Sequence, residues 1–396
     1  MSELAAHFFE VDDKGGGNAL PEIALYEQLH EVEAIWRDLE TRGVFTPYQR
    51  YDWLHGLVAA QGEPEGRMVI AVISQHQRPV ALLPLLIKCR AGIVYARMLG
   101  AHQSNSDWLL AEPGFRPSPE QLQALLARIA NAAGGFDILM LLNQPARWQG
   151  VDNVLLTLKH APGPSHLYTA HIENAPVPYI AHRLTKKRRS NITRGRRRLE
   201  EMFGPVRLVR VEDAAMLKRT HGVFLEQRAL RFDSMGIANV FAKAPFPQLF
   251  EELTSAGFGH NRPALSAHAL LAGDEIVATC WGVIAGTHYS QYINSTASGP
   301  ASRFSLTAIM VAELMDELVA AGMTSFDMGL GDFDYKTDWT SPEPVYDSIT
   351  PFTAKGRLVA LVLRQRARLK RLVKQTPQLW RGAKWIRRTL HQWRRA

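Results

Sequence analysis

The chain has 396 residues, 46% of them hydrophobic, which predicts two folded domains and excludes wholesale disorder. Of its 46 Lys and Arg, 14 fall in residues 355–396, where there is no Asp or Glu, so the rest carries 32 basic against 38 acidic residues and the net charge of +8 belongs to the tail. The two cysteines, Cys89 and Cys280, lie outside any CxxC or His/Cys cluster, which argues against a metal site and predicts two buried free thiols in a reducing compartment. The acidic N-terminus is unlike a signal peptide, and no apolar run approaches the roughly 18 residues of a membrane span. A cytoplasmic protein is expected.

In chain order, Leu29, Val32, Ile35, Trp36 and Leu39 recur at helical spacing, and 48–54 reads as a second, aromatic-rich helix. Residues 68–74 and 80–87 predict a hairpin and 93–99 a further strand, followed by a polar loop. A helix over 118–132 with Leu122, Leu125, Leu126 and Ile129 on one face then leads to a buried strand at 136–142. The second half repeats this order: a hairpin from 266–271 and 276–284, a strand at 287–294, a polar loop, a helix from about 305 to 321 and a strand at 326–330. Phe-Asp recurs at 136/137 and 326/327, each time just after a helix and a glycine. An internal duplication follows. The expected fold class is α/β (α+β), with two tandem units, each a mixed and mostly antiparallel sheet flanked by helices. The boundaries are drawn at 1–178, 179–354 and, for a basic helical tail, 355–396.

Several polar groups in the second half are arranged for chemistry. The run Ser298-Gly299-Pro300-Ala301-Ser302-Arg303 enters a helix N-terminus, where backbone N–H groups and the dipole suit a pyrophosphate. An ordinary helix capped by Ser302 or Ser305 is the alternative. Alternation places His288, Ser290, Tyr292 and Asn294 on one face of their strand. Asp327 is a general base or a loop anchor, with His288 the rival base. Asp332, Tyr335 and Lys336 follow beside two glycines; Lys336 suits a phosphate or an oxyanion, and Tyr335 a leaving thiolate. Nine Lys and Arg between Arg183 and Arg198 meet no acid before Glu200 and call for an anion, with Arg188 and Arg189 foremost.

Three stretches carry a family resemblance. They are the basic segment from Leu184 to Glu200, the hairpin residues Gly273-Asp274-Glu275-Ile276-Val277-Ala278, and the run from Asp327 through Gly329, Gly331, Tyr335 and Lys336 to Trp339. The chain resembles the GNAT acyltransferases of the cellulose-biosynthesis type, which are related to Fem-type aminoacyl transferases. The resemblance implies two GNAT-like halves, the first non-catalytic, and acyl-CoA (acetyl-CoA foremost) as co-substrate without a metal. With the residue chemistry above, catalytic roles are expected for Asp327, His288, Tyr292, Tyr335 and Lys336. Asn294, Ser298, Gly299, Arg303 and Ser305 fall to the cofactor, and Arg188, Arg189 and Asp332 to the acceptor. The acceptor it implies is a small molecule or glycan, a cell-envelope or polysaccharide precursor. Transfer from aminoacyl-tRNA and a non-catalytic scaffold binding an anion are the alternatives.

In the tail, Leu358, Leu361, Val362, Leu369, Leu372 and Val373 share a helical face. Beyond Pro377, Leu379, Ala383, Ile386, Leu390 and Trp393 continue the pattern among Lys and Arg, with Trp380 and Trp385. This composition predicts peripheral binding to an anionic membrane surface on its inner face. Docking on the protein's own acidic body and nucleic-acid binding are the other readings.

Overall fold

The computed structural model describes residues 20–61, 66–236, 239–376 and 378–382. The chain divides into two compact units. One contains the described residues up to Ser165 together with Pro344–Gln375; the other contains His166–Glu343 and the described residues from Thr376 onward. The divisions thus fall at 165/166 and 343/344, not at 178 and 354. The helix Ala354–Gln375, expected to open a separate tail, belongs to the first unit.

In the first unit, Arg67–Gln75 and Arg78–Arg90 form an antiparallel hairpin, and Ile93–Met98 runs antiparallel to its second strand. Ile138–Pro145 lies parallel to Ile93–Met98, the crossover being the helix Pro119–Ala132. That helix begins where the sequence tells it to. The Ser118 hydroxyl accepts from the Gln121 amide, the Gln121 side chain reaches back to the Ser118 amide, and Pro119 opens the first turn. Its Leu122, Leu125, Leu126 and Ile129 enter the unit's core with Val69, Leu83 and Leu139.

The second unit repeats the scheme. Leu265–Ala272, Glu275–Ala285 and His288–Thr296 are antiparallel neighbours, the helix Leu306–Ala320 crosses over, and Ser325–Leu330 returns parallel to His288–Thr296. This helix is apolar nearly all round, and Leu306, Ile309, Met310, Val311, Leu314 and Met315 are all buried in the core. The strand edges escaped the sequence reading. In the first unit Glu22–Tyr26 pairs with Arg67–Gln75, and Val345 to Pro351 of the strand Ser341–Pro351 pair with Ile138–Pro145. In the second, Val206–Arg210 pairs with Leu265–Ala272, and Leu167 to His171 of the strand His160–His171 pair with Ser325–Leu330.

Three expectations are corrected. Cys280 is buried, but Cys89, near the end of its strand, is exposed. The polar face of His288–Thr296 is broken by a bulge: Gln291 pairs with Gly282 and Ile293 with Trp281, so Tyr292 has no partner in the register. One extra residue reverses the alternation. Asn294 therefore lies opposite Cys280, whose sulfur is 3.7 Å from the Tyr289 hydroxyl, and so shares the face of Tyr289, not that of His288. Finally, the basic run on the helix Lys186–Phe203 finds acids within its own unit: Arg188 meets Asp338 at 2.7 Å, Arg196 meets Glu200 at 3.1 Å and also Glu313, and Arg197 meets Glu201 at 3.3 Å.

Candidate functional site

Two strands of the second unit assemble the first group of side chains. In their parallel register His288 lies opposite Ser325 and Ser290 opposite Asp327. The His288 Nε2 is 2.7 Å from Asp327 Oδ2, and its Nδ1 is 2.7 Å from Ser325 Oγ. The Ser290 hydroxyl donates to Asp327 Oδ1 at 2.9 Å, and the Gly329 amide to the same oxygen at 2.6 Å. Gly329 has φ +67°, a turn that favours glycine. His288 and Asp327 are 3% and 1% exposed. With both ring nitrogens engaged, the imidazole has no free nitrogen for an acceptor's proton. The pair orders the strand end and the turn that follows.

That turn positions Lys336. Its Nζ donates to the carbonyls of Gly329 at 3.1 Å and Leu330 at 2.9 Å, and lies 5.2 Å from the centre of the Tyr168 ring. Burial pulls the ammonium down to about 8, against Asp327 and Asp332, which favour the charge. Asp332 faces another way. Its Oδ1 is 2.9 Å from His166 Nδ1 and accepts from the Tyr168 hydroxyl at 3.2 Å. Burial pushes this carboxyl up, but the bonds from His166 and Tyr168 prevail and hold it below the ordinary range.

The second group surrounds the start of the helix Leu306–Ala320. Ser305 occupies the N-cap position with left-handed backbone (φ 59°, ψ 43°), and no side chain caps the helix. For a residue other than glycine this conformation costs about 1–2 kcal/mol. The first amides of the helix border a cavity of about 280 Å³ lined by Arg188, Thr296, Ser302, Ser305, Leu306, Thr307, Ala308, Tyr335 and Trp339. A glycine makes room for this loop. A Cβ at Gly195 would stand 2.8 Å from the Phe304 carbonyl oxygen, so only glycine lets the helix Lys186–Phe203 pass so close. Burial pushes the Tyr335 phenol up, against the nearby Arg228 and Asn294, which favour the ionised form.

The structure thus gathers His288, Asp327 and Lys336 in one group, and Arg188, Ser305, Tyr335 and Asn294 in another. The rest stand apart. Ser298 and Gly299 are exposed ahead of the turn Pro300–Phe304. The exposed Arg303 lies 4.9 Å over the Phe304 ring, and the Arg189 guanidinium donates to the Ala181 carbonyl. Tyr292 packs by Phe241 and Phe250 with ring centres 6.4 and 6.2 Å away. Among the described residues, no group of His, Cys, Asp and Glu could hold a metal ion.

Sequence reasoning passed over Thr296 and Thr307, which line the cavity, and Arg228 on the helix Ala214–Met235. The Arg228 Nε is buried with no hydrogen-bond partner, and its guanidinium lies 5.1 Å over the Phe232 ring. Burial and the nearby Arg231 lower it to about 10, while Tyr335 favours its charge. The signal available in the sequence was two arginines one helical turn apart with no acid between them.

Residues 186–337 match the family described as the acetyltransferase (GNAT) domain. No curated protein matches the chain. Among solved structures, FemX is similar at 11% identity and a TM-score of 0.58, over 85% of this chain and 98% of that one. A conserved protein of unknown function from Bacteroides thetaiotaomicron is similar at 7% identity and a TM-score of 0.53, over 83% and 99%. The C-terminal domain of a putative lysylphosphatidylglycerol synthetase from Agrobacterium fabrum is similar at 13% identity and a TM-score of 0.50, over 84% and 96%. At such identities the likeness is one of fold. The chain therefore has a GNAT-like fold, and it is over residues 186–337 that its sequence is similar to the acetyltransferase (GNAT) domain.

Proposed function

We propose that the protein transfers an acyl group, acetyl foremost, from acyl-CoA to an amine or hydroxyl of a cell-envelope or polysaccharide precursor. The observation that carries this reading is the uncapped start of the helix Leu306–Ala320, bordering a cavity with Arg188 and Tyr335 on its wall. Backbone amides at the positive end of a helix dipole suit a pyrophosphate. Tyr335, which burial keeps protonated, is the donor available there for a departing thiolate. Arg228, whose Nε is buried without a hydrogen-bond partner among the described residues, suits an acceptor that carries negative charge. The cellulose-biosynthesis type is supported by the three resembling stretches, most specifically by the run from Asp327 to Trp339.

Calorimetric titration with acetyl-CoA tests the proposal. Binding is expected, Arg188→Ala should weaken it by about tenfold, the scale of a lost charge-assisted contact, and Tyr335→Phe should spare binding while lowering turnover. No heat at millimolar acetyl-CoA would sink the reading. Aminoacyl-tRNA as donor is the second reading, favoured by the exposed Lys186, Lys187, Arg194 and Arg198 on one helix. Salt-sensitive tRNA binding without acetyl-CoA binding would put it first.

A further inference from the structure

We propose that the helix Ala354–Gln375 is a docking face that lies on an anionic lipid surface. Its inner side is built from small and short residues. Gly356 and Ala360 are buried, and Val359 and Leu363 pack with Ile138 and Ile349 of the first unit. A Cβ at Gly356 would fall 2.2 Å from the Asp137 carbonyl oxygen, so the helix is seated at close range. The larger aliphatic side chains point elsewhere. Leu358, Leu361, Val362, Leu369 and Leu372 are 70%, 56%, 58%, 62% and 56% exposed. At about 100° per residue they fall within one stripe roughly 100° wide, centred opposite Gly356, Val359, Ala360 and Leu363.

Positive charge flanks this stripe on both sides. Arg357 and Arg368 fall on one flank and Arg366 and Lys370 on the other; all four are exposed, and none is in an ion pair among the described residues. The helix contains no Asp or Glu. A row of exposed leucines between two cationic margins is costly in water and fits a membrane interface. There the aliphatic side chains enter the headgroup boundary while Lys and Arg extend to the phosphates. Nucleic acid would satisfy the cations but leave the leucines in water. No described helix is long and apolar enough to cross a membrane, and this one, about 33 Å long at 1.5 Å per residue, would lie along the surface.

The test is co-sedimentation of the full chain with vesicles of phosphatidylcholine alone and with roughly a third phosphatidylglycerol. Binding to the anionic vesicles only is expected, with a fraction that survives about 0.5 M salt because the apolar stripe is not screened. The triple variant Leu361→Ser, Leu369→Ser, Leu372→Ser leaves the charge unchanged. It should bind about tenfold or more weakly and melt at the wild-type temperature. The proposal is overturned if the full chain ignores anionic vesicles, or if the triple variant binds them like wild type. A clear drop in the variant's melting temperature would overturn it too, since the stripe would then be packed against protein. So would RNA displacing the chain from the vesicles, which would assign the basic margins to nucleic acid.

Discussion

The dipeptide Phe-Asp stands at the same place in both units, and its aspartate does different work in each. In the first unit Asp137 accepts from the Val94 amide at 2.8 Å, from the Thr353 hydroxyl at 2.6 Å and from Lys355 Nζ at 3.0 Å. All its partners are structural, and two of them fasten the start of the helix Ala354–Gln375. In the second unit Asp327 holds an imidazole, a hydroxyl and the amide of a glycine turn. The neighbouring strand accounts for the difference. Ser290 lies opposite Asp327, whereas the register of the first unit, with Tyr95 opposite Ile138, brings Val94 opposite Asp137. A duplicated scaffold can thus keep its acid and exchange what the acid holds, so that one copy serves packing and the other a polar cluster.

The largest expected effect separates these two acids. Asp327→Ala leaves His288, Ser290 and the Gly329 amide without their acceptor in a buried site, and should cost about 3–5 kcal/mol in urea unfolding and abolish acyl transfer. Asp137→Ala should cost less, about 1–3 kcal/mol, with transfer by the folded fraction retained. Equal effects on transfer would erase the contrast.

The buried charges of the two units should also respond to pH with opposite signs. Asp107 of the first unit is 2% exposed and accepts from the Leu142 amide at 2.7 Å; burial pushes it up to about 7. A carboxyl raised in the folded state gives stability that is present below its unfolded value and lost as pH rises through 7. The fall should reach about 4 kcal/mol by pH 8, and Asp107→Asn should flatten it. Lys336 of the second unit, lowered to about 8, gives stability that is present above its unfolded value of 10.5 and lost as pH falls through 8. That loss is about 3 kcal/mol, and Lys336→Met should remove it. Denaturation midpoints at pH 5, 8 and 10 check both.

Both repeats of hairpin, strand, helix and strand were legible because their elements announce themselves: glycine at the turns of Gly92, Gly273 and Gly286, Ser118 with Gln121 at a helix start, apolar periods of two and 3.6. The edges were not. Ser341–Pro351 begins Ser-Pro-Glu-Pro, which reads as loop, and the short strand Val206–Arg210 has its two arginines three residues apart, as an exposed helix might. Within the site, Asp327, Lys336 and Tyr335 could be named from their motif, but the bulge at Tyr292 has no sequence signature, and it moves Asn294 to the other face. Arg228 lies about a hundred residues from Tyr335 in sequence, so only the folded chain brings the two into electrostatic reach. Periodicity likewise found the apolar stripe of the helix Ala354–Gln375 but could not say which side was inward. Gly356 and Ala360, too small to weigh in a hydrophobic count, decide that.

The first unit is written in two pieces, and synthesis reads them in order. Residues 166–343 leave the ribosome before Val345 to Pro351 exist to pair with Ile138–Pro145, whereas the strand pairings described for the second unit all lie within residues 166–343. At roughly 5–20 residues per second, the buried strand Ile138–Pro145 waits about ten to forty seconds with one edge unpaired. An open edge beside aliphatic residues invites wrong partners. The nascent chain therefore passes through a window in which the strands of the later-made unit are paired and those of the earlier one are not all paired, and any chaperone that attends it has that edge to cover.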